Sequence, residues 1–183
     1  MCRAVIFFTA VGLAGGCSVY DSRYIFDPAP AEVASSRPGT ADEEHARTLV
    51  SVLGVRRQLK ESDLPAGVEV RLRVDNTSSY RVQFDSSTLA LSSAGLEEFP
   101  DPVRHPADPV DLGPGDSAVI DAWFAFPQGK TSQDMDLSGL SVRWTLLIDG
   151  QPVTSSAGFS RQPTGYYDRH RHRIGVGYQA YRY

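Results

Sequence analysis

The sequence predicts an all-β fold, a sandwich of short strands, and two observations predict it. Apolar residues recur with a period of two through most of residues 46–161, the spacing of strands buried on one face. Turn sequences break these runs at short intervals, as in Asn76-Thr77-Ser78-Ser79 and Asp149-Gly150. Both cysteines, Cys2 and Cys17, fall at the extreme N-terminus, so the rest of the chain has no disulfide and no cysteine metal site. The fold must be held by its apolar core, which 41% hydrophobic residues can supply.

The elements follow in chain order. Thr48–Arg57 alternates as a strand. A helix is the alternative, because Thr40-x-x-Glu43 has the form of a capping box and Leu49, Val52, Leu53 and Leu59 fit a helical stripe. The β-branched residues and Gly54 favour the strand. Val68, Val70, Leu72 and Val74 alternate with Glu69, Arg71, Arg73 and Asp75, a half-buried strand. Tyr80, Val82 and Phe84 form the next run, and Leu89 and Leu91 continue the pattern to Gly95. Pro100–Pro114 holds five prolines and no period, so it predicts an irregular connection. A turn at residues 112–117 opens a strand in which Ala118, Ile120, Ala122, Phe124 and Phe126 share a face. Val142, Trp144, Leu146 and Ile148 face inward in the next strand, and Asp149-Gly150 predicts a tight hairpin into Val153–Phe159. The result is seven short strands, the pattern of an immunoglobulin-like sandwich.

The N-terminus reads as an address. Arg3 precedes Ala4–Leu13, ten residues without a charge, and then Ala14-Gly15-Gly16-Cys17. A positive start, a short apolar run and small residues before a cut make an export signal. Ten residues rise only about 15 Å as a helix, half of a hydrocarbon core of about 30 Å, too short for a stable span. Small residues before a cysteine resemble the bacterial lipobox, although its usual leucine is displaced by one place to Leu13. The resemblance implies that residues 1–16 are removed and that Cys17 is acylated, anchoring the protein to a membrane. By the same resemblance Ser18, in place of an aspartate, implies the outer membrane of the cell envelope, facing the periplasm. A single acyl chain holds a protein only marginally, so durable anchoring implies more than one.

Residues 17–45 are rich in Ala, Pro and Ser and predict a flexible tether. About 25 residues of it would span about 75 Å in polyproline form or about 25–30 Å as a coil. Tyr20, Tyr24, Ile25 and Phe26 within it are apolar enough either to enter a membrane interface or to pack on the domain.

Leu-Arg-Val-Asp-Asn-Thr-Ser at 72–78, Leu-Gly-Pro-Gly-Asp-Ser at 112–117 and Leu-Ser-Gly-Leu-Ser-Val-Arg-Trp at 137–144 resemble the immunoglobulin-like domains of bacterial lipoproteins. The resemblance spans residues 46–161 and implies an envelope role without naming one. Fold alone does not give function.

Candidate chemistry is sparse. His45 and His105 lie in or near the domain without a Gly-x-Ser-x-Gly elbow or comparable motif. His105 reads as a solvated loop histidine and would gain catalytic meaning beside a serine in a cleft. Asp134-x-Asp136 and the group Asp108, Asp111 and Asp116 lack an EF-hand spacing and read as solvated loop carboxylates. No motif implies a cofactor, and the expectation is a non-enzymatic protein.

Residues 162–183 form a basic tail. Together with Arg161 they carry five arginines against one aspartate, while the chain as a whole is at −4. His170 and His172, with Asp168 as a third group, could meet a metal on one face of a strand. The interleaved Arg171 opposes a cation there. Arginine and tyrosine are favoured at binding hot spots, and guanidinium forks match phosphates and carboxylates. Arg169, Arg171, Arg173, Tyr178 and Tyr181 are therefore the candidate contact residues, toward a protein, an envelope polysaccharide or lipid head groups. The exported address disfavours nucleic acid. The alternative is an accessory subunit of an envelope export or assembly complex, docking through the sandwich surface.

Overall fold

The computed structural model describes residues 20–40, 43–58 and 63–163. They form two antiparallel sheets packed face to face. One sheet holds β2 (Ala31–Ser35), β3 (Ala46–Arg56), β4 (Gly67–Asn76) and β8 (Ser117–Ala125), in the order β2-β3-β4-β8. The other runs β1 (Phe26–Asp27), β10 (Gln151–Arg161), β9 (Gly139–Ile148), β5 (Val82–Phe84) and β7 (Val110–Leu112). There β6 (Ala90–Ser93) also pairs with β9, and a turn of 3-10 helix at Ser86–Thr88 leads into it.

Sequence alternation becomes burial with little loss. Val68, Val70, Leu72 and Val74 of β4 meet Val142, Trp144, Leu146 and Ile148 of β9 in one core, and these eight side chains are fully buried. Phe84, Ile120, Phe124 and Phe159 complete it. Thr48–Arg57 lies in strand β3, not in a helix, and one feature of its sequence needs a special device. Its apolar phase runs through Ala46, Thr48, Val50 and Val52 and then shifts to Val55. A slip of one residue turns every later side chain to the other face. A bulge between Val52 and Gly54 absorbs that slip, and Val55 returns to the core opposite Val68. Gly54 takes φ +141°, which a residue with a side chain rarely adopts.

Asp149 and Gly150 both have positive φ, as a two-residue hairpin requires, and join β9 to β10 in full register. Asn76 pins two of the turn sequences together. Its amide donates to the carbonyls of Tyr80, Leu112 and Gly113, and its side-chain oxygen accepts from Ser78. Residues 72–78 and 112–117 thus share one structural lock.

The described residues hold ten strands where the sequence predicts seven. The short strands β1, β2 and β7 account for the difference. β7 lies inside the proline-rich connection, where Val110–Leu112 pairs with β5. β1 and β2 lie inside the stretch expected to be tether, so that expectation needs correction. Phe26 is 2% exposed and Tyr24 is 7% exposed, both in the core. Ala31–Ser35 pairs with β3 over five residues. The composition misleads because Pro28 and Pro30 sit in the turn between β1 and β2, while the strands around them are short and take their partners from distant sequence.

Candidate functional site

At one end of the sandwich the chain at Tyr20 meets the last residues of β3 and β10. Tyr20 bridges to Arg56, and the Asp21 backbone N–H donates to the Val55 carbonyl at 2.8 Å. The Tyr20 ring lies over Gly54, where a Cβ would come within 3.1 Å of it. Its hydroxyl donates to Glu69 at 2.5 Å. Burial and that carboxylate push the phenol up to about 12. Arg56 reaches the same carboxylate at 3.2 Å and stacks between the Tyr20 and Trp123 rings.

Asp21 is the centre of the cluster. Its side chain is 3% exposed and accepts from two arginines, Arg23 at 2.7 Å and Arg57 at 3.0 Å. The Arg23 guanidinium holds its carboxyl well below the usual carboxylate range, against the opposing effect of burial. Beside it, the Arg161 Nε donates to the Arg23 carbonyl at 2.9 Å, and the Arg161 guanidinium lies over the Tyr24 ring. The Tyr24 hydroxyl donates to the Ser132 carbonyl. A groove of about 510 Å³ runs along this end, lined among others by Asp21, Arg23, Arg56, Arg57, Phe126 and Gln133. A second, of about 310 Å³, lies against the edge of β3 at Ser51–Leu53, lined by Tyr24, Ile25, Phe26 and Ala29.

The sequence reading missed this cluster because it placed Tyr20–Phe26 in the tether. Two signals were present. Tyr24 and Phe26 are spaced for one strand face, and an isolated glycine inside a strand marks a bulge or a close approach of another chain segment. Gly54 marks both.

Cys17, the tail candidates Arg169, Arg171, Arg173, Tyr178 and Tyr181, and the metal candidates Asp168, His170 and His172 lie outside the described residues. Among the described residues no group of three or more His, Cys, Asp or Glu is placed to hold a metal ion. The weighed carboxylates have local partners. Asp134 accepts from Thr131, and Asp111 accepts from Gln83 and Arg81. Asp116 accepts from the Gly113 N–H, and Asp136 from the Ser138 N–H.

His105 is half-buried rather than solvated, which corrects the sequence reading. Its Nδ1 lies 2.7 Å from Ser86 Oγ and 2.7 Å from the Pro106 carbonyl. The Ser86 hydroxyl donates to that same carbonyl at 2.8 Å. Ser86 itself is 2% exposed, enclosed in the fold. The pair ties the proline-rich connection to the turn before β6. His45 is fully buried against Tyr80, with Nδ1 2.8 Å from the Glu43 carbonyl.

Among the described residues no helix is long and apolar enough to cross a membrane. No protein-family model matches the chain, and no curated protein matches it. Among solved structures it is similar to a FixG-related protein from Vibrio parahaemolyticus, with 13% identity and a TM-score of 0.39 over 66% of this chain and 99% of that one.

Proposed function

We propose that the chain is a non-enzymatic envelope lipoprotein whose β-sandwich acts as a binding or structural module held against a membrane. One observation carries the reading: the expected acylation site is almost part of the fold. Only Ser18 and Val19 separate Cys17 from Tyr20, which is docked on Gly54, Glu69 and Arg56. Three residue steps extend about 11 Å at most. An acylated Cys17 therefore sets one end of the sandwich at the lipid surface, with no long tether between them. The outer membrane, facing the periplasm, is the location implied by Ser18.

An immunoglobulin-like topology is part of the proposal. Its support is the strand order: β3, β4 and β8 in one sheet and β10, β9, β5 and β7 in the other make seven strands that cross between sheets after β4, β7 and β8. In this reading β1, β2 and β6 are additions.

Anchoring is tested by Cys17→Ser in the full-length chain. The expected result is transfer of the protein from the membrane fraction to the soluble fraction, with loss of incorporated fatty acid. Unchanged membrane retention would overturn the anchored reading.

A second reading, an accessory subunit of an envelope export or assembly complex, has its own support. On the β2 side of β3, opposite β4, no strand among the described residues pairs with Ser51–Leu53, and the adjacent groove could admit a partner strand. Envelope cross-linking of the mature chain, with and without residues 164–183, separates the two. Partners captured only by the complete chain place contact in Arg169, Arg171, Arg173, Tyr178 and Tyr181. Partners captured equally by both place it on the sandwich.

A further inference from the structure

We propose that the end of the sandwich carrying Arg23, Arg57 and Arg161 is a phosphate-binding face that lies directly on an anionic phospholipid surface. The location rests on the acylation of Cys17, but the chemistry of the face does not. Three observations lead to it.

The first is charge. Elsewhere on the described surface cations meet carboxylates nearly one to one: Arg71 with Asp121, Arg73 with Asp75, Arg81 with Asp111, Arg37 with Asp149. At this end Asp21 pairs with both Arg23 and Arg57, Glu69 pairs with Arg56, and the Arg161 guanidinium contacts the Arg23 carbonyl instead of a carboxylate. Arg56 is largely enclosed with Glu69, while the Arg23 and Arg57 side chains are 48% and 70% exposed. Arg161 is also exposed.

The second is rigidity. The buried Asp21 carboxylate grips both Arg23 and Arg57, and the Tyr24 ring carries Arg161. Long side chains that would otherwise lose rotamer freedom on binding are already held. A guanidinium fork suits the paired oxygens of a phosphodiester.

The third is where the chain enters and leaves. Tyr20, the first described residue, and Gln162, whose N–H donates to the Ile25 carbonyl at 2.8 Å, belong to this same end. The anchor precedes it by two intervening residues, and the arginine-rich residues 164–183 follow it. Both termini thus leave the fold beside these arginines, and an acylated Cys17 keeps Tyr20 within about 11 Å of the anchor. This is close to the screening length at physiological ionic strength.

The test uses the mature chain with Cys17→Ser, so that no acyl group contributes. Its partition is measured on vesicles of phosphatidylglycerol with phosphatidylcholine and on phosphatidylcholine alone. We expect binding only to the former, weakening with salt. Each basic group near such a surface contributes about fivefold in partition. Arg57→Gln with Arg161→Gln should therefore lower binding about 25-fold, while Arg73→Gln with Arg81→Gln, distant from this end, should leave it unchanged. Far-ultraviolet circular dichroism of each variant confirms that it is folded. Equal losses in the two double variants would overturn the proposal, as would no loss in either, which assigns binding to residues 164–183. Displacement from the vesicles by inorganic phosphate at matched ionic strength would make the face a soluble-anion site and also overturn it. Fatty-acid labelling of the unmodified chain in cells reads the anchor separately, so failure of either claim is visible without the other.

Discussion

Replacing Trp144 by alanine is expected to lower the stability of the sandwich by about 3–5 kcal/mol. Trp144 is fully buried on β9, the strand that pairs with β10, β5 and β6. Loss of its ring removes the largest buried surface in that sheet and leaves a cavity that the hydrogen-bonded neighbours cannot readily close. For a chain of this size the change corresponds to a fall in Tm of roughly 10 °C or more. Urea unfolding followed by circular dichroism measures it, and a loss below about 1 kcal/mol would contradict the packing described. Trp144→Phe should be milder than alanine. The indole Nε1 is buried without a hydrogen-bond partner, so phenylalanine keeps most of the apolar contact and removes an unsatisfied donor.

Asp21→Ala is expected to cost about 2–4 kcal/mol and to loosen the N-terminal segment from the end of β3. The carboxylate makes charge-assisted hydrogen bonds to two arginines, each bond worth about 1.5–3 kcal/mol where it is shielded from water. Exposure of both guanidiniums reduces that value, because water replaces part of what is lost. Hydrogen exchange at Asp21 and Tyr24, measured against the core strands, separates local release from global unfolding.

The same group predicts a dependence on pH. Its carboxyl titrates lower in the folded state than its ordinary value of 3.8, chiefly because of Arg23. A depressed carboxylate stabilises the fold above its unfolded value and loses that contribution as the pH falls toward the folded value. Stability should therefore be level above about pH 5 and decline below about pH 4. Asp121, held down by Arg71, and Asp111, held down by Gln83 and then Arg81, act in the same direction. Asp21→Asn should flatten the acid limb of a stability curve. A wild-type protein equally stable at pH 3 and pH 7 would refute this account of the cluster.

Local sequence was enough for strands that bury one face throughout. The alternation in β4, β8 and β9 became the core, and Asp149-Gly150 became the hairpin between β9 and β10. Such features need only the period of the chain and the φ preferences of two turn residues. The candidate cluster was legible only in part. Gly54 pointed to a bulge or a close approach, but nothing adjacent to it in sequence named Tyr20 as the approaching group.

The sequence by itself determined an all-β sandwich without disulfides, its main strands, its principal hairpin, and an acidic body followed by a basic tail. Tertiary structure decided that residues 20–35 belong to the sandwich and that β1 joins one sheet and β2 the other. It also decided that Asp21 gathers Arg23 and Arg57, and that His105 and Ser86 lock a loop. The physical reason is common to all of these. A short strand, a buried carboxylate and a loop histidine each take their stability from partners far away in the chain. Periodicity records only which face of a segment is apolar, not which distant segment will cover it.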